Sequence, residues 1–280
     1  MAETSAKDVA ALRKATGAGM MDCKKALEET GGVMEEAKDW LRAKGLAGAS
    51  KRAGRAAEQG AIDVVVEGGV GALVELTAET DFVAKSADFK TAVTELAALA
   101  VQEGKQELAD LAFRGATVGE HVTQMAATLG ENVALGRVVL YETTDGLLDG
   151  YVHTQNERGI MGVLVELAGV DAGSAAAKEV AHDIALHIAS AAPQFVTRDD
   201  VPADVLERER AVFEELTRNE GKPEQAIPKI VEGRLNGFYK DAVLVEQGFV
   251  KDPKQTIAHL LATLGTDASV RRFTRVKIGE

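Results

Sequence analysis

An acid and an aromatic residue, Asp81 and Phe82, stand where a strand-like segment meets a helix-like one. An aromatic side chain beside a carboxylate suits a binding contact, because aromatic anchors carry much of the energy of protein interfaces. The alternative is structural: Thr80 or Asp81 caps the following helix by accepting a backbone N–H bond, and Phe82 belongs to the core. The motif alone leaves both interpretations open.

The strand before this pair is written twice in the chain. Residues 71–76 read GALVEL and residues 162–167 read GVLVEL, so five of six positions are identical at an offset of 91 residues. A duplicated structural unit is the simplest explanation. At the same offset Asp81-Phe82 falls opposite Ala172-Gly173, so the shared scaffold does not need an acid and an aromatic there.

Each copy has the pattern of a hairpin followed by a helix. Residues 61–66 precede the first copy across Gly68-Gly69, which suits a tight turn, and residues 149–153 precede the second. After each strand, apolar residues recur at spacings of three and four: Val93, Leu96, Ala97 and Ala100 in the first copy, and Ile184, Ile188 and Ala191 in the second. The pattern predicts an α+β fold with two related units of antiparallel sheet and helix.

The N-terminal segment predicts a small bundle of three short helices separated by glycines. The predicted helices run from Ser5 to Gly17, from Asp22 to Glu29, and from Val33 to Lys44 with Gly45 as the stop. Met20-Met21 falls in the first connection, where flexible, polarizable side chains suit a partner contact. The alternative is that one methionine fills the bundle core.

The rest of the chain divides into a basic stretch and two larger regions. Five bases without an acid between residues 42 and 55 predict a linker or frayed helix end, with RNA contact as the less favoured alternative. Further helices are predicted near 118–129 and 254–264, and an edge strand over 270–278. The predicted division is 1–55 (bundle and basic linker), 56–140 (first core unit) and 141–280 (second core unit), the last with a helical hairpin at about 202–238. The pattern leaves open whether this hairpin mediates a homodimer or protrudes alone.

Bulk properties favour a folded protein whose partner is another protein. The net charge of −12 disfavours binding to nucleic acids and anionic membranes, and aromatic residues make up only 4% of the chain. Cys23 is the only cysteine, Met1–Ser5 lack a basic and apolar leader, and no run of about 18 apolar residues occurs. These features predict a cytoplasmic protein.

The sequence lacks the motifs of an enzyme. It has no phosphate-binding loop, no H-E-x-x-H, no G-x-S-x-G and no cysteine pair, so neither catalysis nor a cofactor is predicted. His182 and His187 are five residues apart on a helical pattern, whereas metal-binding pairs favour three or four. His153 is placed at a strand end in the second hairpin loop, where it contacts a partner or faces water.

Three runs of sequence resemble the bacterial elongation factor Ts family: residues 12–27, residues 79–85, and Gly221-Lys222-Pro223 together with residues 231–234. They occur in the right order over most of the chain, which makes the resemblance very specific. It implies a guanine nucleotide exchange factor that binds elongation factor Tu with GDP and promotes GDP release during translation. It also implies a ubiquitin-associated-like (UBA-like) N-terminal bundle and a core of two related subdomains.

The resemblance further implies roles for individual residues. The segment Thr80–Val83, that is Thr80, Asp81, Phe82 and Val83, is expected to displace the Mg²⁺ of the partner, with Phe82 wedged between two partner helices and Asp81 contacting the same region. Leu12, Met20 and Met21 are expected to touch the nucleotide-binding domain of the partner, and His153 to lie in the contact surface. Many family members continue past the final strand with another helix, so a chain ending at Glu280 is expected to lack that contact.

Two rival functions remain at this point. A binding module that only holds its partner would form a complex insensitive to GDP and Mg²⁺, and its Phe82 would have little effect on nucleotide release. An enzyme ranks third, because it requires a cleft with paired ionisable groups that the sequence does not reveal.

Overall fold

Three helices form the N-terminal bundle in the computed structural model, which describes residues 5–280. Residues 1–4, where the sequence predicts no leader, lie outside the described part. The helices are α1 (Ala6–Thr16), α2 (Met20–Glu29) and α3 (Met34–Arg52). Their apolar faces meet in a small core that includes Val9, Leu12, Cys23, Leu27 and Leu41.

The first core unit is a three-stranded antiparallel sheet covered by a helix. Its elements are β1 (Gln59–Glu67), β2 (Val70–Ala78), α4 (Asp81–Ala84), α5 (Ala87–Glu103), β3 (Ala112–Phe113), β4 (Ala116–Thr117), α6 (Val118–Leu129) and β5 (Ala134–Glu142). The strand order is β1-β2-β5, and the β1–β2 turn is Gly68-Gly69 as the sequence predicts. The repeated strand is therefore the centre of this sheet.

The second core unit repeats this arrangement. Its elements are β6 (Leu147–Gln155), β7 (Arg158–Ala168), α7 (Ala175–Ala191), α8 (Ala203–Asn219), α9 (Ile227–Ala242), β8 (Gly248–Phe249), β9 (Asp252–Thr256), α10 (Ile257–Ala262) and β10 (Ser269–Lys277). The strand order is β10-β7-β6, so the second copy of the repeated strand is also central and the predicted edge strand is β10. The α+β class, with helices and antiparallel sheets, is confirmed.

The two sheets pack face to face, with one helix on each outer side. Ala72, Val74 and Leu76 face α5, while Leu73, on the opposite face of β2, packs with Ile62 and Val276 between the sheets. This alternation follows from the two-residue period of a strand. Glycine allows a close approach of the two sheets at Gly159, where a Cβ would clash with the carbonyl oxygen of Ile62.

Helix α3 runs seven residues past the predicted stop at Gly45, so that prediction is wrong. Gly45 faces α6, and a Cβ there would lie 2.9 Å from the Cβ of Ala127. Glycine thus allows close helix packing, and this packing outweighs its low helix propensity. Arg52 secures the same contact by donating from Nη2 to the carbonyl oxygen of Ala126 at 2.9 Å. Most of the basic stretch is therefore a docked helix rather than a linker.

Two predictions near the C-terminal end need adjustment. Helices α8 and α9 form the expected hairpin, whose seam contains Phe213, but Leu216 is exposed because Thr217 takes the buried position. The predicted helix over 254–264 is shorter, since residues 252–256 form β9 and Thr256 caps α10. Within the described residues, every helix is too short or too polar to span a membrane.

Candidate functional site

The turn α4 presents Phe82 to solvent while holding its other side in the core. Thr80 is the N-cap: its Oγ1 accepts a hydrogen bond from the backbone N–H of Val83 at 3.4 Å. Ala84 is buried and Val83 packs against the first core cluster, whereas the side chain of Phe82 is 82% exposed. The capping role of Thr80 is confirmed, and the placement of Phe82 in the core is excluded.

A hydrogen-bonded clamp holds the chain just before this turn. Glu131, in the loop after α6, accepts from the backbone N–H of Thr80 at 2.9 Å and from its hydroxyl at 2.5 Å. In return, Glu79 accepts from the backbone N–H of Asn132 at 2.7 Å, and the Asn132 amide donates to the Arg55 carbonyl at 2.7 Å. Thr80 therefore has a fixed position that does not depend on α4 itself.

Asp81 carries a negative charge at the start of α4. The hydrogen bond from Lys85, one turn later, holds the pKa of the Asp81 carboxyl below its ordinary value, and the charge of Arg158 lowers that pKa further. Burial lowers the pKa of the Arg158 guanidinium, and the charge of Asp81 opposes this. Asp81 is therefore ionised at neutral pH.

The tip of the β6–β7 hairpin lies against this region of the first unit. Arg158 donates to the carbonyl oxygen of Gly60 at 2.6 Å and to the side chain of Gln59 at 2.8 Å. Glu157 lies 3.6 Å from the ammonium of Lys90 on α5. The hairpin that contains His153 is thus fixed beside the exposed turn.

His153 is exposed on β6, an edge strand of the second sheet. It lies within the strand rather than in the hairpin loop, because the turn is formed by Asn156 and Glu157, both with positive φ. The Tyr151 hydroxyl lies 3.2 Å from Nδ1 of His153, which holds the imidazole against the strand.

Met20 and Met21 form a second exposed apolar surface. Their side chains are 59% and 73% exposed, and they lie in the first turn of α2 rather than in the connection before it. They line a groove of about 690 Å³ between α1 and α2, whose rim contains the basic residues Arg13, Lys14 and Lys24. Neither methionine fills the bundle core.

Leu12 does not lie on this surface. Its side chain is completely buried among the three bundle helices. Leu12 is therefore not exposed for the expected contact with a partner in this arrangement, since an apolar side chain at helical spacing packs in the core.

A pair of buried glutamates was missed in the sequence. Glu75 and Glu166 occupy the same position in the two copies of the repeated strand, and each lies beside an irregularity in strand pairing. Glu75 binds Arg137 at 2.8 Å; Glu166 binds Arg271 at 2.7 Å and Arg272 at 2.6 Å. Burial raises the pKa of both carboxyls, but hydrogen bonds and charges outweigh it and hold each pKa below its ordinary value: those of Arg137 at Glu75, and those of the Thr143 hydroxyl and the two arginines at Glu166. The sequence indicates this pair by a glutamate that recurs at the same position of an otherwise apolar strand.

The exposed groups of this region suit binding to a partner. Among residues 5–280, no group of three or more His, Cys, Asp and Glu side chains is placed to hold a metal ion. The exposed groups described above are an aromatic ring on a hydrogen-bonded turn, an edge-strand histidine and a methionine groove with basic residues on its rim. An aromatic anchor on a rigid support is what a protein interface requires.

Comparison with known proteins gives a consistent family. The family model described as elongation factor TS matches residues 79–280. The curated elongation factor Ts of Micrococcus luteus is 46% identical over 282 residues, and that of Streptomyces avermitilis is 45% identical over 287 residues, with all of both chains covered in each case. The elongation factor Ts of Maricaulis maris is 42% identical over 293 residues, covering all of this chain and 93% of that protein.

Proposed function

The chain belongs to the elongation factor Ts family and serves as a nucleotide exchange factor for elongation factor Tu in translation elongation, and we propose that Phe82 drives this exchange. In the proposed mechanism, Phe82 enters the nucleotide-binding domain of GDP-bound elongation factor Tu and separates two of its helices. The bound Mg²⁺ is displaced and GDP leaves. The observation that carries this proposal is the 82% exposed ring on a turn whose backbone is clamped.

Displacing a metal ion is an effective way to release GDP without catalysis. Mg²⁺ requires near-ideal octahedral geometry, so a small shift of the elements that position it weakens its binding. The nucleotide phosphates then lose their main counter-charge. By linkage, a factor that weakens GDP binding binds the nucleotide-free partner more tightly by the same coupling free energy. Changing a 1:99 population into 99:1 requires about 5.5 kcal/mol, which a few buried anchors can supply.

The other exposed residues extend the proposed interface. The groove beside Met20 and Met21 would accept an apolar ridge of the nucleotide-binding domain, with acidic neighbours facing its basic rim. His153 and the β6–β7 hairpin would form the contact on the other side of Phe82. Asp81, held by Lys85, would face the displaced Mg²⁺ region, and Val83 would keep the turn seated in the core.

We keep the remaining expectations as proposals that the composition and layout support. The chain is divided into a UBA-like bundle and basic segment (1–55) and two core units (56–140 and 141–280), and it works in the cytoplasm without catalysis or cofactor. The net charge of −12 supports a protein partner rather than nucleic acid or membrane. A homodimer through the α8–α9 hairpin stays a proposal of the same kind.

The test is release of a fluorescent GDP analogue from elongation factor Tu at fixed Mg²⁺. The wild-type chain should accelerate release, and Phe82→Ala should lose most of this acceleration, about 30-fold or more, as expected for a central aromatic anchor. Val212→Ala is the matched control, because Val212 is an exposed apolar residue on α8, outside the surface proposed to contact elongation factor Tu. A wild-type chain that binds without accelerating release would leave only a binding module, and full activity of Phe82→Ala would remove Phe82 from the mechanism.

A further inference from the structure

The position of Phe82 depends on its backbone, because the exposed ring has little support of its own. Its turn, α4, has only four residues, and a single helical turn is unstable without outside contacts. The N-cap bond from Val83 to Thr80 is long, at 3.4 Å. Something outside α4 must therefore hold the turn in place.

Val83 and Ala84 hold one side of the turn in the core, and the carboxylate of Glu131 supports the start of the turn through two hydrogen bonds to Thr80. One oxygen accepts from the backbone N–H of Thr80 and the other from its hydroxyl, at 2.9 and 2.5 Å. Since the hydroxyl proton is directed to Glu131, the hydroxyl oxygen keeps its lone pairs free to accept from Val83. Glu131 thereby fixes both the backbone of Thr80 and the orientation of the cap.

Glu131 is itself anchored to the N-terminal bundle. It follows α6, whose last turns pack on α3 through Gly45 and the hydrogen bond from Arg52. Its neighbour Asn132 is tied to Glu79 and to the carbonyl of Arg55, just beyond α3. A continuous set of contacts therefore runs from the bundle through the loop after α6 to Thr80, two residues before Phe82.

We infer that Glu131 is a positioning residue for nucleotide exchange: its carboxylate holds Thr80 so that Phe82 meets the partner in a fixed orientation, with the bundle as its support. This inference rests on the proposed function, in which Phe82 is the wedge. Glu131 acts through Thr80 and does not touch the partner. Its loss should therefore reduce the maximal rate of exchange more than it weakens binding of the partner.

The experiment measures assisted release of a fluorescent GDP analogue over a range of factor concentrations, with the full-length chain and fixed Mg²⁺. Glu131→Ala should lower the maximal release rate about tenfold and change the half-saturating concentration less than about twofold. Glu131→Gln, whose amide oxygen can still accept one of the two hydrogen bonds, should lower the maximal release rate about threefold. Thermal unfolding of each variant shows that the fold is retained.

Two further variants separate positioning from general stability. Glu120→Ala removes the capping box of α6, the helix that precedes Glu131, without affecting Thr80. Its maximal release rate should therefore stay within about twofold of wild type. Thr80→Val removes the hydroxyl and keeps the backbone N–H. Adding Glu131→Ala to Thr80→Val should therefore lower the maximal release rate only about threefold further.

The possible outcomes separate the positioning role of Glu131 from the proposed exchange function on which it rests. If the wild-type chain does not accelerate GDP release, the proposed function fails. If the wild type accelerates release and Glu131→Ala keeps its maximal rate, only the positioning role is overturned. A Glu131→Ala defect confined to the half-saturating concentration, or an equal loss in Glu120→Ala, overturns the positioning role in the same way.

Discussion

After the repeated strand, the first copy takes eleven positions to reach its helix, from Leu76 to Ala87, whereas the second takes eight, from Leu167 to Ala175. The three additional residues lie in the connection that contains α4 and the exposed Phe82. The offset of 91 residues that relates the two strands pairs Phe82 with Gly173 in the sequence. Because the two connections differ in length, these residues do not occupy equivalent positions in the structure. In three dimensions, the second copy has no residue that corresponds to Phe82.

The second connection shows what the scaffold needs at this point. Asp171 accepts from the backbone N–H of Gly173 at 2.8 Å and forms a simple turn, and Ser174 caps α7 through the N–H of Ala177. No outside clamp like Glu131 contacts this turn among the described residues. Strand, helix and buried glutamate are therefore the shared scaffold, while the connection that contains α4 and Phe82 is an addition with its own support from Glu131.

The largest effect should come from making the two connections equal in length. Deleting Asp81–Val83 leaves Thr80 followed by Ala84 and restores eight positions between strand and helix. Because the second copy folds with such a connection, we expect the sheet and α5 to form. The acceleration of GDP release should fall about 100-fold or more, since the anchor is gone. The fluorescent GDP assay measures this.

Circular dichroism and thermal unfolding of the deletion variant provide the control for folding. Asp171→Ala, which removes the turn bond of the second connection, should keep assisted release within about twofold of wild type. A deletion variant that folds and still accelerates release would break the comparison, because the additional residues would then have no role in exchange.

The next effect tests the feature that both copies share. Glu166 is completely buried between two arginines, whereas Glu75 binds one, so Glu166→Ala should destabilise the protein more, by about 3 kcal/mol against about 2 kcal/mol. The arginines reach solvent, which limits both losses. Urea unfolding at pH 7 measures the free energies. An equal or larger loss for Glu75→Ala would contradict the proposed difference.

The pH dependence sharpens this second test. Both glutamates have a pKa below the ordinary value of 4.5 in the folded state, so their stabilisation is complete above pH 4.5 and is lost as the pH falls through the folded-state pKa. The stability difference between wild type and either variant should therefore shrink in acid. Both variants should keep the wild-type maximal exchange rate at low temperature, because neither glutamate touches the exposed turn.

Local patterns predicted the elements that local forces determine. The duplicated strand, the Gly68-Gly69 turn and the bounds of α6 follow from strand alternation, glycine turns and helical periodicity. Asp81 and Phe82 stood out because one copy has them and the other does not. The relevant comparison was available within a single sequence.

Long-range packing explains what the sequence did not predict. Local sequence predicts a helix stop at Gly45, whereas the contact with α6 that favours glycine there lies far along the chain. The expected partner contact of Leu12 rests on the family resemblance alone, whereas packing among three helices buries its side chain completely. Glu131 binds Thr80 from 51 residues away, and no local pattern indicates such a pair.

The smallest expected effect concerns the helices, where the second copy has a buried histidine. With the two helices matched at their first residues, His187 on α7 corresponds to Leu99 on α5. His187 is completely buried; its Nδ1 accepts from the N–H of Val250 at 3.3 Å, so Nε2 carries the proton and donates to Gln247 at 2.8 Å. Burial lowers the pKa of this imidazole below 6.5. The His187 imidazole is therefore neutral in the folded protein at neutral pH.

The sign of the pH effect follows from this lowered pKa. Below pH 6.5 the unfolded chain binds a proton at His187 that the folded chain does not, so stability should fall as the pH decreases from 6.5 to the folded-state pKa. The contribution of one such proton is at most about 1.4 kcal/mol per pH unit. His187→Gln keeps a donor for Gln247 and should reduce this slope in urea unfolding between pH 7.5 and 5.5. His121, whose pKa burial also lowers, should supply the slope that remains. If the free energy of unfolding of His187→Gln depends on pH as steeply as that of wild type, the pH dependence does not come from His187. It would then be assigned to the first copy, which contains His121.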